Sequence, residues 1–202
     1  GLTNGTSYTF TVTATNAVGN SAASLASNAV TPATVPGAPT NVYATAGNTQ
    51  ATVSWNAPAS AGGSSITGYE ITASPGGQTV TVDGSTLTAT FTSLTNGTSY
   101  TFTVIATNSV GDGAASSTSN TVTPATVPGA PSNVYATSGN TQATVTWSAP
   151  SFTGGSAITS YNVTASPGGQ TMTVGVSTLT ATFTSLTNGI SYTFTVVASN
   201  TV

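Results

Sequence analysis

Leu94-Thr-Asn-Gly-Thr-Ser-Tyr-Thr-Phe-Thr-Val104 decides the fold, and it occurs three times. The first copy runs from Leu2 to Val12, and the third from Leu186 to Val196, where Ile190 stands in place of Thr98. Successive copies are 92 residues apart, a domain-sized period that marks a tandem array. Within the stretch, Asn96-Gly97 supplies a turn with positive φ. After it, Tyr100, Phe102, Val104 and Ala106 alternate with Thr101, Thr103 and Thr107, the period-two pattern of a strand with one buried and one wet face.

Working outward, the same alternation recurs on either side. Val42 and Ala44 open the central repeat, and Ala51, Val53 and Trp55 follow, interleaved with Thr52 and Ser54. Tyr69, Ile71 and Ala73 alternate with Glu70 and Thr72 as far as the turn Ser74-Pro-Gly-Gly77. Val80 with Val82, Ala89 with Phe91, and a closing run from Ser119 to Thr123 complete seven expected strands separated by turn residues. No stretch has helical periodicity. The expected fold class is all-β: tandem seven-stranded antiparallel sandwiches, arranged as beads on a string. Thr31-Pro-Ala-Thr-Val-Pro-Gly-Ala-Pro39, repeated at Thr123 to Pro131, is the connector. Its three prolines fix φ and predict a semi-rigid link with a restricted angle between domains.

The expected domains are 1–33, the C-terminal part of one repeat; 34–125, a complete repeat; and 126–202, a repeat lacking its last strand. Two periods of 92 residues plus 18 make up the 202, so the chain reads as a window on a longer array.

Composition narrows function by exclusion. There is no Lys, Arg, His or Cys, and the only acids are Glu70, Asp83 and Asp112. Forty-six Thr and 27 Ser replace the charges that normally cover a soluble surface. Without basic residues there is no phosphate attraction, so nucleic acid and anionic lipid are not expected partners. No apolar run reaches membrane-spanning length. Catalysis needs a group that moves a proton, attacks, or holds a metal near neutral pH. The hydroxyls here have no ordinary base to activate them, and three scattered carboxylates do not make a calcium cage. No catalytic, cofactor or metal site is expected. Asn4, Asn96 and Asn162 fit the Asn-X-Ser/Thr pattern for N-linked sugar, although Asn-Gly is already accounted for by turn geometry.

Pro39, Trp55 in Ala-Thr-Val-Ser-Trp, Tyr69 in Ile-Thr-Gly-Tyr-Glu-Ile, and Leu94 six residues before Tyr100 together resemble the fibronectin type III pattern, an immunoglobulin-like sandwich. They recur as Pro131, Trp147, Tyr161, Leu186 and Tyr192, and Tyr8 begins the series. The resemblance implies a tyrosine corner at Tyr8, Tyr100 and Tyr192, whose hydroxyl bonds back to upstream backbone. Leu94, Leu186, Trp55 and Trp147 belong to the same structural set. One departure stands out: outward positions usually charged in that family are Thr, Ser or Asn here.

Aligning 34–110 with 126–202 gives 18 differences in 77 positions, and they avoid the inward aromatics. Among them are Glu70→Asn162 and Asp83→Gly175, so a function shared by the repeats does not run through those acids. Tyr43 and Tyr135 fall out of phase with the inward residues and, with Phe152, are the candidate contact aromatics. The first functional expectation is a structural repeat of an extracellular stalk, surface filament or adhesin, associating with itself or with neighbouring repeats. The alternative is a passive spacer in a secreted polysaccharide-degrading enzyme, a role the family resemblance implies. Glycan contact through Tyr43, Tyr135 or Phe152 is a third.

Overall fold

The computed structural model describes residues 1–202 and is all-β, without a helix. In the central repeat, β1 (Thr40–Gly47), β2 (Gln50–Asn56) and β5 (Thr88–Phe91) form one sheet in the order β1-β2-β5. β3 (Ile66–Ser74), β4 (Thr79–Asp83) and β6 (Thr101–Asn108) form the other, in the order β4-β3-β6. The next repeat repeats the plan with β7 (Ser132–Gly139), β8 (Gln142–Ser148) and β11 (Thr180–Thr184) in one sheet. Its second sheet holds β9 (Ser160–Ser166), β10 (Thr171–Gly175) and β12 (Thr193–Ser199). Four sheets thus make two sandwiches.

By packing, the chain forms two compact units. One comprises Gly1–Thr45, Thr52–Phe91 and Tyr100–Thr121; the other comprises Ala46–Ala51, Thr92–Ser99 and Val122–Val202.

The inward residues are those the alternation picks out. β2 buries Ala51, Val53 and Trp55 and exposes Thr52 and Ser54. The β3–β6 register sets Tyr69 opposite Ala106, Ile71 opposite Val104 and Ala73 opposite Phe102, all buried. Phe91 meets Phe102 across the core with ring centroids 4.9 Å apart. The following repeat closes around Val145, Tyr161, Val163 and Phe183 in the same way. Outward, hydroxyls pair across strands: Thr52 with Thr90 at 3.3 Å, and Thr144 with Thr182 at 3.1 Å.

The seventh expected strand takes another form. The segment after β6 runs beside it without a regular ladder, because it advances three residues for every two of β6. Gly113, Ser116 and Ser119 donate their N–H groups to the carbonyls of Ala106, Val104 and Phe102 at 2.8–2.9 Å. In return, Val104 and Phe102 N–H donate to the hydroxyls of Ser116 and Ser119, at 2.9 and 3.0 Å. Three residues per turn is the period of extended polyproline-like backbone, which points its own carbonyls elsewhere. The serine oxygens stand in for them. Each hydroxyl then donates to the next residue's carbonyl, Ser117 or Asn120, so the buried Ser116 and Ser119 are satisfied. Residues 1–33 repeat this with Ser21, Ser24 and Ser27, whose hydroxyls accept from Ala14, Val12 and Phe10 at 3.0 Å. There the segment contributes one isolated bridge, Tyr8 with Val30.

Candidate functional site

The organising turn is built around its asparagine. Asn96 Oδ1 accepts the Thr49 N–H and its Nδ2 donates to Asn48 Oδ1, both at 2.8 Å. Asn188 does the same with Thr141 N–H at 3.0 Å and Asn140 Oδ1 at 2.9 Å. Thr49 and Thr141 carry positive φ, 53° and 55°, a strained backbone that the clamp holds. The side-chain amide of Asn96 is therefore engaged, whereas Asn162 lies exposed on β9.

Downstream of each turn, the tyrosine hydroxyl reaches back. Tyr8 Oη accepts the Thr3 N–H at 2.8 Å, and Tyr192 Oη accepts the Thr187 N–H at 3.2 Å. The backbone amide of Thr3 holds the Tyr8 phenol below its ordinary pKa, since it stabilises the phenolate. Tyr100, Leu94 and Leu186 are buried. Trp55 and Trp147, 3% and 5% exposed, stand edge-on to Tyr69 and Tyr161 with centroids 5.4 and 5.6 Å apart. Both indole Nε1 groups are buried without a hydrogen-bond partner. Tyr69 has its pKa raised by burial.

The three contact candidates are exposed, but they do not share one kind of surface. Tyr43, 60% exposed, lies on β1, where its carbonyl accepts a 3.5 Å bond from the Ser54 hydroxyl. Tyr135, 70% exposed, lies on β7 opposite Thr146, whose hydroxyl makes the equivalent bond. Each phenol thus borders an outward sheet face carrying cross-strand hydroxyl pairs. Phe152, 51% exposed, sits in the β8–β9 loop instead, with its carbonyl accepting the Gly129 N–H at 2.9 Å.

The acids stay apart in role. Asp83 closes its own turn, accepting from the Ser85 hydroxyl at 2.6 Å, the Ser85 N–H at 2.9 Å and the Thr86 hydroxyl at 3.1 Å. Those bonds, the Ser85 hydroxyl foremost, hold its pKa below the usual carboxylate range. Glu70 pairs with Thr81 in the register and Asp83 with Gly68, which makes the two acids diagonal neighbours on adjacent strands. Asp112 accepts from the Thr107 hydroxyl at 2.5 Å. No three potential metal-ligating side chains gather. What the surface offers chemically is hydrogen bonding and ring stacking.

Comparison with known proteins bears on these features. The fibronectin type III domain model matches residues 37–122 and 129–202. The chain is 34% identical over 215 residues to exoglucanase B of Cellulomonas fimi, covering 99% of this chain and 19% of that protein. It is 45% identical over 127 residues to chitinase A1 of Niallia circulans, covering 58% of this chain and 17% of that protein. Among solved structures it is similar to the FN1–FN3 domains of chicken CNTN1, at 22% identity and a TM-score of 0.43, covering 98% of this chain and 71% of that one. The chain therefore spans less than a fifth of the length of these curated relatives. With both sandwiches matched by one family model, this chain belongs to the fibronectin type III family and carries its domain in tandem.

Proposed function

We propose that this segment is a non-catalytic spacer in an extracellular polysaccharide-degrading enzyme, separating parts of the protein that act on or hold the polymer. The observation that carries this reading is the similarity to an exoglucanase and a chitinase over a small share of each. Glucan and chitin polymers are too large to enter a cell, which supports an extracellular location. The residue inventory agrees: cleaving a glycosidic bond ordinarily takes a pair of carboxyl groups flanking it, and the one neighbouring pair here, Glu70 and Asp83, is replaced by Asn162 and Gly175 in the next repeat. The reading is tested by incubating the chain with insoluble cellulose and chitin. A spacer releases no reducing ends and stays in the supernatant. Release of sugar would overturn the non-catalytic assignment, and co-sedimentation would replace the spacer with a binding module.

A second reading, a stalk or filament that associates with copies of itself, draws on one observation. The surface is almost free of charge, with three acids and no bases in 202 residues, so little repulsion keeps copies apart. Exposed Tyr43 and Tyr135 supply apolar area for such contacts, or for stacking on a sugar ring. Of the two readings, the spacer is the better supported.

A further inference from the structure

We infer that the glycine pair between the second and third strands of each repeat, Gly62-Gly63 and Gly154-Gly155, is a seat for the Asn-Gly turn of the preceding repeat. The inference holds for spacer and filament alike and does not rest on either.

The contact appears once inside each compact unit. In the first, a β-carbon at Gly63 would lie 2.4 Å from Gly5 N and 2.8 Å from the Asn4 carbonyl carbon. In the second, a β-carbon at Gly155 would lie 2.5 Å from Gly97 N and 2.9 Å from Asn96 Cβ. Seen from the turn, β-carbons at Gly5 and Gly97 would come within 3.1 and 3.2 Å of Gly63 and Gly155 Cα. Backbone rests on backbone, at a separation that admits no side chain at Gly63 or Gly155 and leaves one at Gly5 or Gly97 tight.

The other glycine of each pair receives the connector. A β-carbon on Gly62 would strike Thr34 O at 2.1 Å, and one on Gly154 would strike Thr126 O at 2.0 Å. Hydrogen bonds tie the three parts into a relay. Gly5 N–H donates to Pro32 O at 2.9 Å and Thr34 N–H to Gly62 O at 2.8 Å. Gly97 N–H donates to Pro124 O at 2.9 Å and Thr126 N–H to Gly154 O at 2.8 Å. Asn108 Nδ2 bridges Thr34 O and Ala61 O, and Asn200 Nδ2 bridges Thr126 O and Thr153 O, at 2.8–3.0 Å. Turn, connector and glycine pair thus form one hydrogen-bonded joint, made twice with the same partners. None of its members is charged, so salt does not screen it.

The test uses the full chain, which has no cysteine of its own, spin-labelled at Thr98→Cys and Thr173→Cys. Thr98 is half-buried and Thr173 exposed, and both lie in the second unit, on either side of the joint. A pulsed electron-electron distance measurement should give a narrow, single-peaked distribution that is unchanged at high salt. Gly155→Ala should broaden it roughly twofold, towards that of a flexible tether. Gly168→Ala is the control: Gly168 has φ +99° and nothing within 4 Å of a β-carbon, so it carries the backbone strain without the collision. A Gly-Gly insertion after Ala125 leaves the turn and the glycine pair intact but severs the relay, and it must broaden the distribution as well. A broad distribution in the parent chain, an equal response to Gly155→Ala and Gly168→Ala, or no response to the insertion would each overturn the seat.

Discussion

The two sides of β6 are held by different means. Towards β3 it makes a residue-for-residue ladder from Thr101 to Thr107, with one irregularity beside Gly68. Away from β3 it is bonded to a segment of another period, through the hydroxyls of Ser116 and Ser119. Backbone alone suffices on the first side. On the second, two side chains complete what the backbone leaves undone, and stability there depends on residue identity in a way it does not across the ladder.

The largest expected effect lies in the core that β6 covers, which both of its edges hold in place. Phe102→Ala removes a fully buried ring packed on Phe91 and should cost about 3–5 kcal/mol in denaturant unfolding. On the serine side, Ser116→Ala with Ser119→Ala leaves the N–H groups of Val104 and Phe102 buried and unpaired. Roughly 1–3 kcal/mol should be lost for each, with hydrogen exchange rising at those two amides while the β3 side stays protected. A small loss confined to chemical shifts near the substitutions would show that water replaces the hydroxyls and that the two sides are not so different.

Next in size is the turn that leads into β6. Asn96→Ala deletes both clamp bonds and should cost about 1–2 kcal/mol, with Asn188→Ala as the matching test in the next repeat. The smallest effect concerns Asp83, whose pKa is lowered in the folded state by the Ser85 and Thr86 bonds. Such a group adds stability above the unfolded carboxylate pKa and loses it as pH falls through the lower folded value. Melting temperature measured against pH should therefore decline at the acid end. Asp83→Asn should flatten that decline slightly, and an unchanged profile would assign it to other groups.

The same contrast explains what was legible in the sequence. Period-two alternation named the inward face of the strands that bury one, from Ala51-Val53-Trp55 to Tyr69-Ile71-Ala73, because burial on one side of a pleat leaves that mark directly, whereas β7 has no buried residue. The closing segment was expected as a plain strand at Ser119–Thr123. The signal that could have corrected it is Ser21-x-x-Ser24-x-x-Ser27, a three-residue spacing of small hydroxyls. The role of Gly62-Gly63 was not legible, since nothing local tells a glycine that frees a turn from one that admits another backbone. Its partner, Gly5, is far away in sequence. The outward faces of Tyr43 and Tyr135 followed from phase, whereas what meets them leaves no periodic trace, because a binding partner imposes no pattern on the chain that receives it.

Sedimentation velocity of the intact chain, at low salt and again near 1 M, tests the central claim most directly. A spacer remains a monomer at both, across a wide range of concentration. Assembly into larger species that persists at high salt would contradict the spacer reading and show that the charge-poor hydroxyl faces bind one another.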